Sequence, residues 1–139
     1  MKKLFLITVL CFIAVLGFSQ KSDSTYRAKV AIQPPSDAVS GEIYCYCLEY
    51  LETTKSNPSG EEEWERVFIA PEINKKGKYI LTNYLLTGLK PKTLYIVRVV
   101  VYYSWLGYYG YGKPGQEILL RFPEQGNEVS TLVTCRPLN

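Results

Sequence analysis

Leu86 to Tyr103 reads LTGLKPKTLYIVRVVVYY. Its second half is an almost unbroken run of β-branched and aromatic residues, interrupted only by Arg98. Ten residues from Leu94 to Tyr103 are too few for a bilayer-spanning helix, which needs about 20. Two-residue alternation instead divides the run into two faces, with Tyr95, Val97, Val99 and Val101 on one and Ile96, Arg98, Val100 and Tyr102 on the other. The stretch is therefore a strand with a core face, preceded by a turn built on Gly88 and Pro91.

The same reading extends outward in both directions. Aromatic residues make up 14% of the chain and twelve are tyrosines. Short apolar runs are separated by Pro, Gly, Asn and Asp, which is an all-β pattern. Strands are predicted at Arg27 to Gln33, Glu42 to Glu52, Trp64 to Ala70, Tyr79 to Leu86, Leu94 to Tyr103, Glu117 to Phe122 and Val129 to Cys135. The first stops at Pro34-Pro35, because tandem prolines cannot donate to a ladder. About seven strands at this spacing predict a β-sandwich.

The N-terminus reads as a signal peptide spanning residues 1–19. Lys2 and Lys3 form a basic start, Leu4 to Phe18 is apolar, and Gly17-Phe18-Ser19 leads to cleavage before Gln20. The domain is then 20–139. Of 16 basic residues two leave with the signal, so 14 face 13 acids and the mature charge is about +1. No basic stripe for nucleic acid remains. The C-terminus carries neither a hydrophobic tail nor an ER retention signal, so the protein is expected to be secreted, with no membrane attachment. Histidine is absent from the sequence. That excludes Ser-His-Asp and Cys-His nucleophile chemistry and every zinc site that needs imidazole.

The segment Tyr84-x-Leu86-Thr87-Gly88-Leu89-x-Pro91-x-Thr93-x-Tyr95 resembles the tyrosine corner of a fibronectin type III domain. The resemblance implies an immunoglobulin-like β-sandwich in which Leu89 plugs the core, Pro91 fixes the turn and the Tyr95 hydroxyl caps a nearby backbone group. A weaker match runs through Ala31-Ile32-Gln33-Pro34-Pro35-Ser36-Asp37 and Gly41 to Tyr50. Here Gln33 stands where the family usually has tryptophan, and its first strand is poorly represented in QKSDSTY. Gly126 to Thr131 resembles the approach to the family's last strand. Ser104 to Gln125 would then be an enlarged loop carrying EILLRF as an extra hairpin strand. The resemblance further implies an extracellular binding or spacer module without catalysis.

Secretion favours oxidation of Cys45, Cys47 and Cys135, an odd number. Tyr46, Leu48 and Tyr50 facing inward places Cys45, Cys47 and Glu49 outward. Cys45 and Cys47 then lie about 6.7 Å apart with parallel Cβ vectors, poor geometry for a mutual bond. In the family's strand order Cys135 would sit about 9.6 Å from their strand, beyond reach. Either the C-terminal segment folds back to bridge one of them, or bonds form between chains as a disulfide-linked homodimer. One intramolecular bridge and one spare thiol is the expectation, with unpaired structural thiols the alternative.

Ile96, Val100 and Tyr102 form an outer face too apolar for solvent, broken by Arg98, for which Glu49 is an exposed pairing partner. This face is either a contact surface or is covered by the long loop or the C-terminal tail. In SWLGYYGYGKPG, residues Trp105, Tyr108, Tyr109 and Tyr111 supply rigid amphipathic contact area. They form either a binding loop or a satellite cluster folded back on the domain. No Arg-Gly-Asp tripeptide is present. Glu61-Glu62-Glu63-Trp64-Glu65 has no calcium-loop spacing and reads as a solvated run.

The sequence thus leads to a non-enzymatic structural or adhesive component of an extracellular matrix, of a mineralised shell type for instance. Its partners are other extracellular proteins, and it needs no cofactor. The alternative is a soluble secreted ligand-binding or effector protein using the aromatic loop.

Overall fold

The computed structural model describes residues 26–55 and 63–138, without the side chains of Lys55 and Trp105. The signal sequence, most of QKSDSTY, the Asn57-Pro58-Ser59 tripeptide, whose proline blocks the N-glycosylation pattern, Glu61 and Glu62 lie outside the described residues. Eight strands follow in order: β1 (Tyr26–Gln33), β2 (Ile43–Glu52), β3 (Glu65–Ile69), β4 (Thr82–Leu89), β5 (Tyr95–Trp105), β6 (Tyr108–Tyr111), β7 (Ile118–Leu120) and β8 (Glu128–Thr134). Among the described residues the only helical turn is Thr53–Lys55, and no helix is long and apolar enough to cross a membrane.

The strands form two sheets, β4-β1-β8 and β3-β2-β5-β6, with β7 also paired to β5. Alternation gives each sheet one apolar face, and the two faces enclose one core, the arrangement of a β-sandwich. Ala28, Val30, Ile32, Leu86, Leu89 and Val133 enter from the smaller sheet, and Ile43, Tyr46, Leu48, Val97, Val99 and Val101 from the larger. The inward set expected for β5 is therefore the observed one.

The turn before β5 is built as the sequence suggested. Tyr95 is buried, and its hydroxyl oxygen accepts the Lys90 N–H at 2.9 Å. Leu89 is buried beside it, while Pro91 is exposed at the apex. Lys92 takes positive φ, +53°, within the turn, whereas Gly88, at +75°, lies in β4 at the bulge where its pairing with β1 shifts register.

Two features differ from expectation. The first is that the glycine and tyrosine segment is not a loop. β5 continues to Trp105, reverses through Leu106-Gly107 and returns as β6, with Tyr102 opposite Tyr111 and Trp105 opposite Tyr108. Both turn residues have positive φ, +48° and +81°, as a two-residue hairpin turn requires. Leucine rarely occupies that conformation, so the turn was hidden in the sequence. Gly110 sits under the Tyr103 ring, where a Cβ would come within 2.9 Å of ring carbon.

The second difference is the last strand. β8 does not join β5. It lies in the other sheet, parallel to β1 from Arg27/Glu128 to Gln33/Thr134. The free edge of β5 is already taken by β6, by the Gly112 and Gly115 N–H groups donating to Val101 and Val99 carbonyls, and by β7. No ladder groups remain there for β8, so the chain crosses to the open edge of β1. β6, which the sequence left in a loop, brings the number of strands to eight rather than about seven.

Candidate interaction surface

The outer face of the larger sheet is built in rows. Leu51, Ile96 and Leu119 are neighbours at one end; next come Arg66, Glu49 and Arg98, then Phe68, Cys47 and Val100, then Cys45, Tyr102 and Tyr111. Tyr44 and Tyr109 complete the far end, with ring centroids 5.7 Å apart.

Tyr44 reaches this face because of a bulge. Register shifts between Ile43 and Cys45, so Ile43 stays in the core while Tyr44 is thrown outward. The Tyr79 hydroxyl oxygen accepts the Ile43 N–H at 2.9 Å and holds the irregular backbone. Phe68 projects outward between the inward-packed Val67 and Ile69. Neither Tyr44 nor Phe68 was singled out from the sequence. Their signals were the three-residue step between inward Ile43 and Tyr46, and an apolar side chain at an outward position.

Five rings thus stand together. Tyr102 meets Phe68 edge-on at 5.6 Å and Tyr111 at 5.9 Å. Tyr44, Phe68, Tyr109 and Tyr111 remain 64%, 61%, 74% and 72% exposed. Apolar rings gathered on one sheet face make this the candidate interaction surface of the chain. Tyr44, Cys45, Phe68, Ile69, Ala70 and Tyr102 line a shallow hollow of about 680 Å³.

Of the residues expected to bind, the structure unites Tyr102, Tyr109 and Tyr111. Tyr108 alternates to the opposite face, and the Trp105 side chain lies outside what the structure describes. Val100 is buried between Cys47 and its strand neighbours, whereas Ile96 and Tyr102 are half-buried. The C-terminal tail does not cover them. It packs against the core beside the connection between β1 and β2, where the Leu138 N–H donates to Asp37 Oδ1 at 2.8 Å.

Glu49 corrects a further expectation. It is not an exposed partner but is 4% exposed, its two oxygens accepting from Arg66 Nε at 2.9 Å and Arg98 Nε at 3.0 Å. Trp64 stacks over the Arg98 guanidinium at 3.9 Å, and Glu117 lies 3.6 Å from it. Two guanidiniums and their apolar stems take the place of the water a buried carboxylate would lose.

The expected intramolecular bridge is not formed: Cys45, Cys47 and Cys135 are free thiols. Cys135 belongs to the core between the sheets, whereas Cys47 faces away from that core, so the larger sheet stands between them. Cys45 and Cys47 are kept apart by their parallel side-chain directions. Burial pushes the Cys135 thiol up to about 12 and is the main cause of the rise of Cys47 to about 11, where Glu49 adds to it and Arg66 opposes it. Cys45, half-exposed, is raised by burial as well.

A second hollow, of about 420 Å³, opens at the other end of the sandwich against the perpendicular Tyr26 and Phe122 rings. Its charged side chains, Lys92, Arg121 and Glu124, stand exposed. Among the described residues no group of three or more acidic or cysteine side chains is placed to hold a metal. No family model matches the chain, and neither a curated protein nor a solved structure matches it.

Proposed function

We propose that this chain is a secreted, non-enzymatic module of the fibronectin type III kind that serves as a structural or adhesive component of an extracellular matrix. It holds another extracellular protein against the outer face of its larger sheet. The observation that carries the reading is the cluster of Tyr44, Phe68, Tyr102, Tyr109 and Tyr111, four of them more than 60% exposed and all set on paired strands. Exposed rings cost little ordering entropy when captured and present both an apolar face and a hydroxyl. The family assignment rests on the Tyr95–Lys90 turn and the two-sheet core. The parallel β8 is a departure from that family's usual pattern.

The test is extracellular fractionation of the secreted chain. Wild type is expected in the insoluble matrix fraction, and Tyr109→Ser with Tyr111→Ser is expected to move into the soluble medium without loss of fold. Recovery of wild type as a freely soluble monomer would reject the matrix role in favour of a soluble ligand-binding protein.

A further inference from the structure

We infer that Tyr44 and Tyr109 form a modification site, at which oxidative coupling of the two phenols straps β2 to β6 across β5. Their ring centroids are 5.7 Å apart at an interplanar angle of 79°, and the residues are 64% and 74% exposed. Among the described residues no other tyrosine pair in ring contact has both members exposed. Tyr95 is buried against Tyr50, and Tyr102 is half-buried between Phe68 and Tyr111.

The two side chains come from strands that are not neighbours. The bulge between Ile43 and Cys45 turns Tyr44 outward on β2, and the Leu106-Gly107 turn brings Tyr109 back on β6, with β5 running between them. Ladder hydrogen bonds hold both strands to β5, so each ring stands beside the other and need not meet it by diffusion. Exposure admits an oxidant and leaves the rings room to turn into bonding contact. Tyr108, 76% exposed on the opposite face of β6, meets no ring of a described side chain, so a radical there has no held partner.

The reaction takes hydrogen peroxide as oxidant and an extracellular haem peroxidase to activate it. Each phenol gives up one electron and one proton, and the two phenoxyl radicals join through ring carbons ortho to their oxygens. The hydrogens on those carbons then move to the oxygens, which restores both phenols. One C–C bond forms, two C–H bonds break, and the peroxide is reduced to two waters by the hydrogens the hydroxyls released. No disulfide ties these strands, since Cys45, Cys47 and Cys135 are free thiols. A C–C link between residues far apart in sequence restricts the unfolded chain as a disulfide would, and reductant cannot undo it. The inference stands apart from the docking reading, because it needs the two phenols and no bound protein.

The experiment treats the folded protein at low micromolar concentration with a haem peroxidase and equimolar hydrogen peroxide, followed by thiol reductant, digestion and mass spectrometry. The Tyr44 and Tyr109 peptides are expected joined and lighter by two hydrogen atoms, with dityrosine fluorescence in the monomer. Tyr44→Phe and Tyr109→Phe should each lower that product roughly tenfold or more, and the same treatment in urea should do likewise because the held geometry is lost. Tyr108→Phe and Cys45→Ser should leave it unchanged. With reductant present, the cross-linked monomer should unfold about 10 °C above the untreated one. Absence of the link overturns the inference, as do chain-to-chain products or a Tyr102–Tyr111 link in its place. An equal yield in urea, loss of the link in Cys45→Ser, or an unchanged unfolding temperature overturns it as well.

Discussion

Glu49 accepts a hydrogen bond from Arg98 at 3.0 Å across two neighbouring strands, beneath the Trp64 ring, on a face that alternation alone assigns to solvent. Because Glu49 is 4% exposed, the pair belongs with buried rather than surface ion pairs. Removing one member of a buried pair leaves an uncompensated charge and costs about 3–5 kcal/mol, whereas replacing both with apolar side chains is often neutral. Arg66 is largely exposed and can return to water. Glu49→Ala is therefore expected to lose about 3 kcal/mol in urea unfolding. Glu49→Leu combined with Arg98→Met should lose far less. Equal losses for the single and double variants would show that the charges contribute nothing.

The same Tyr→Phe change should have opposite signs at two buried positions. At Tyr95 it removes the acceptor of the Lys90 N–H, a net loss of about 1–2 kcal/mol. At Tyr46 the hydroxyl is buried with no hydrogen-bond partner among the described residues. Deleting it removes an unsatisfied polar group, so Tyr46→Phe is expected to be neutral or stabilising by about 1 kcal/mol. Thermal unfolding of the two variants side by side tests the assignment; a destabilised Tyr46→Phe would mean that the hydroxyl has a partner.

These residues also show what the sequence could and could not reveal. Leu89, Pro91 and Tyr95 act within a few residues of each other, and the inward valines of β5 obey simple alternation, so both were legible. Glu49 was legible as outward but not as buried, because its partners come from 17 and 49 residues away. Val129 to Cys135 presents the same inward pattern whichever sheet it joins; periodicity sets faces, not neighbours. The aromatic face was half visible. Tyr102 followed from alternation and Tyr109 and Tyr111 from composition, but Tyr44 depended on a bulge and β6 on a leucine in a left-handed turn.

Gly115 sits between β5 of the larger sheet and β8 of the smaller one. Its N–H donates to the Val99 carbonyl, and a Cβ added to it would collide with the backbone carbonyl oxygen of Thr134 in β8. Backbone cannot rotate away as a side chain can, so Gly115→Ala should cost about 1–3 kcal/mol through overpacking. Gly112 lies on the same edge, but its added Cβ would meet only the Val101 carbonyl oxygen, at an ordinary 3.8 Å. Gly112→Ala is expected to stay within about 0.5 kcal/mol of wild type. Chemical denaturation of both variants checks the contrast, and equal effects would argue against this placement of β8.

The thiols give stability a defined alkaline limb. Cys135 is held protonated up to about 12 and Cys47 up to about 11, against an ordinary value of 9.0. Between the ordinary and raised values the folded chain keeps a proton that the unfolded chain has lost. Stability is therefore fully present below about pH 9 and falls as pH rises, by about 1.4 kcal/mol per unit for each thiol. Cys135→Ala lowers stability at neutral pH by leaving a small void, but should make the fall between pH 9.5 and 10.5 shallower, leaving what Cys47 and Cys45 contribute and, from about pH 10 upward, the raised Tyr46. Under native conditions at pH 8 a maleimide should label Cys45 first, since it is the only one of the three that is not buried. A chain-to-chain disulfide, if one forms on air oxidation, should accordingly disappear in Cys45→Ser. An unchanged alkaline slope in Cys135→Ala, or labelling of Cys135 ahead of Cys45, would mean that the core thiol is not enclosed between the sheets.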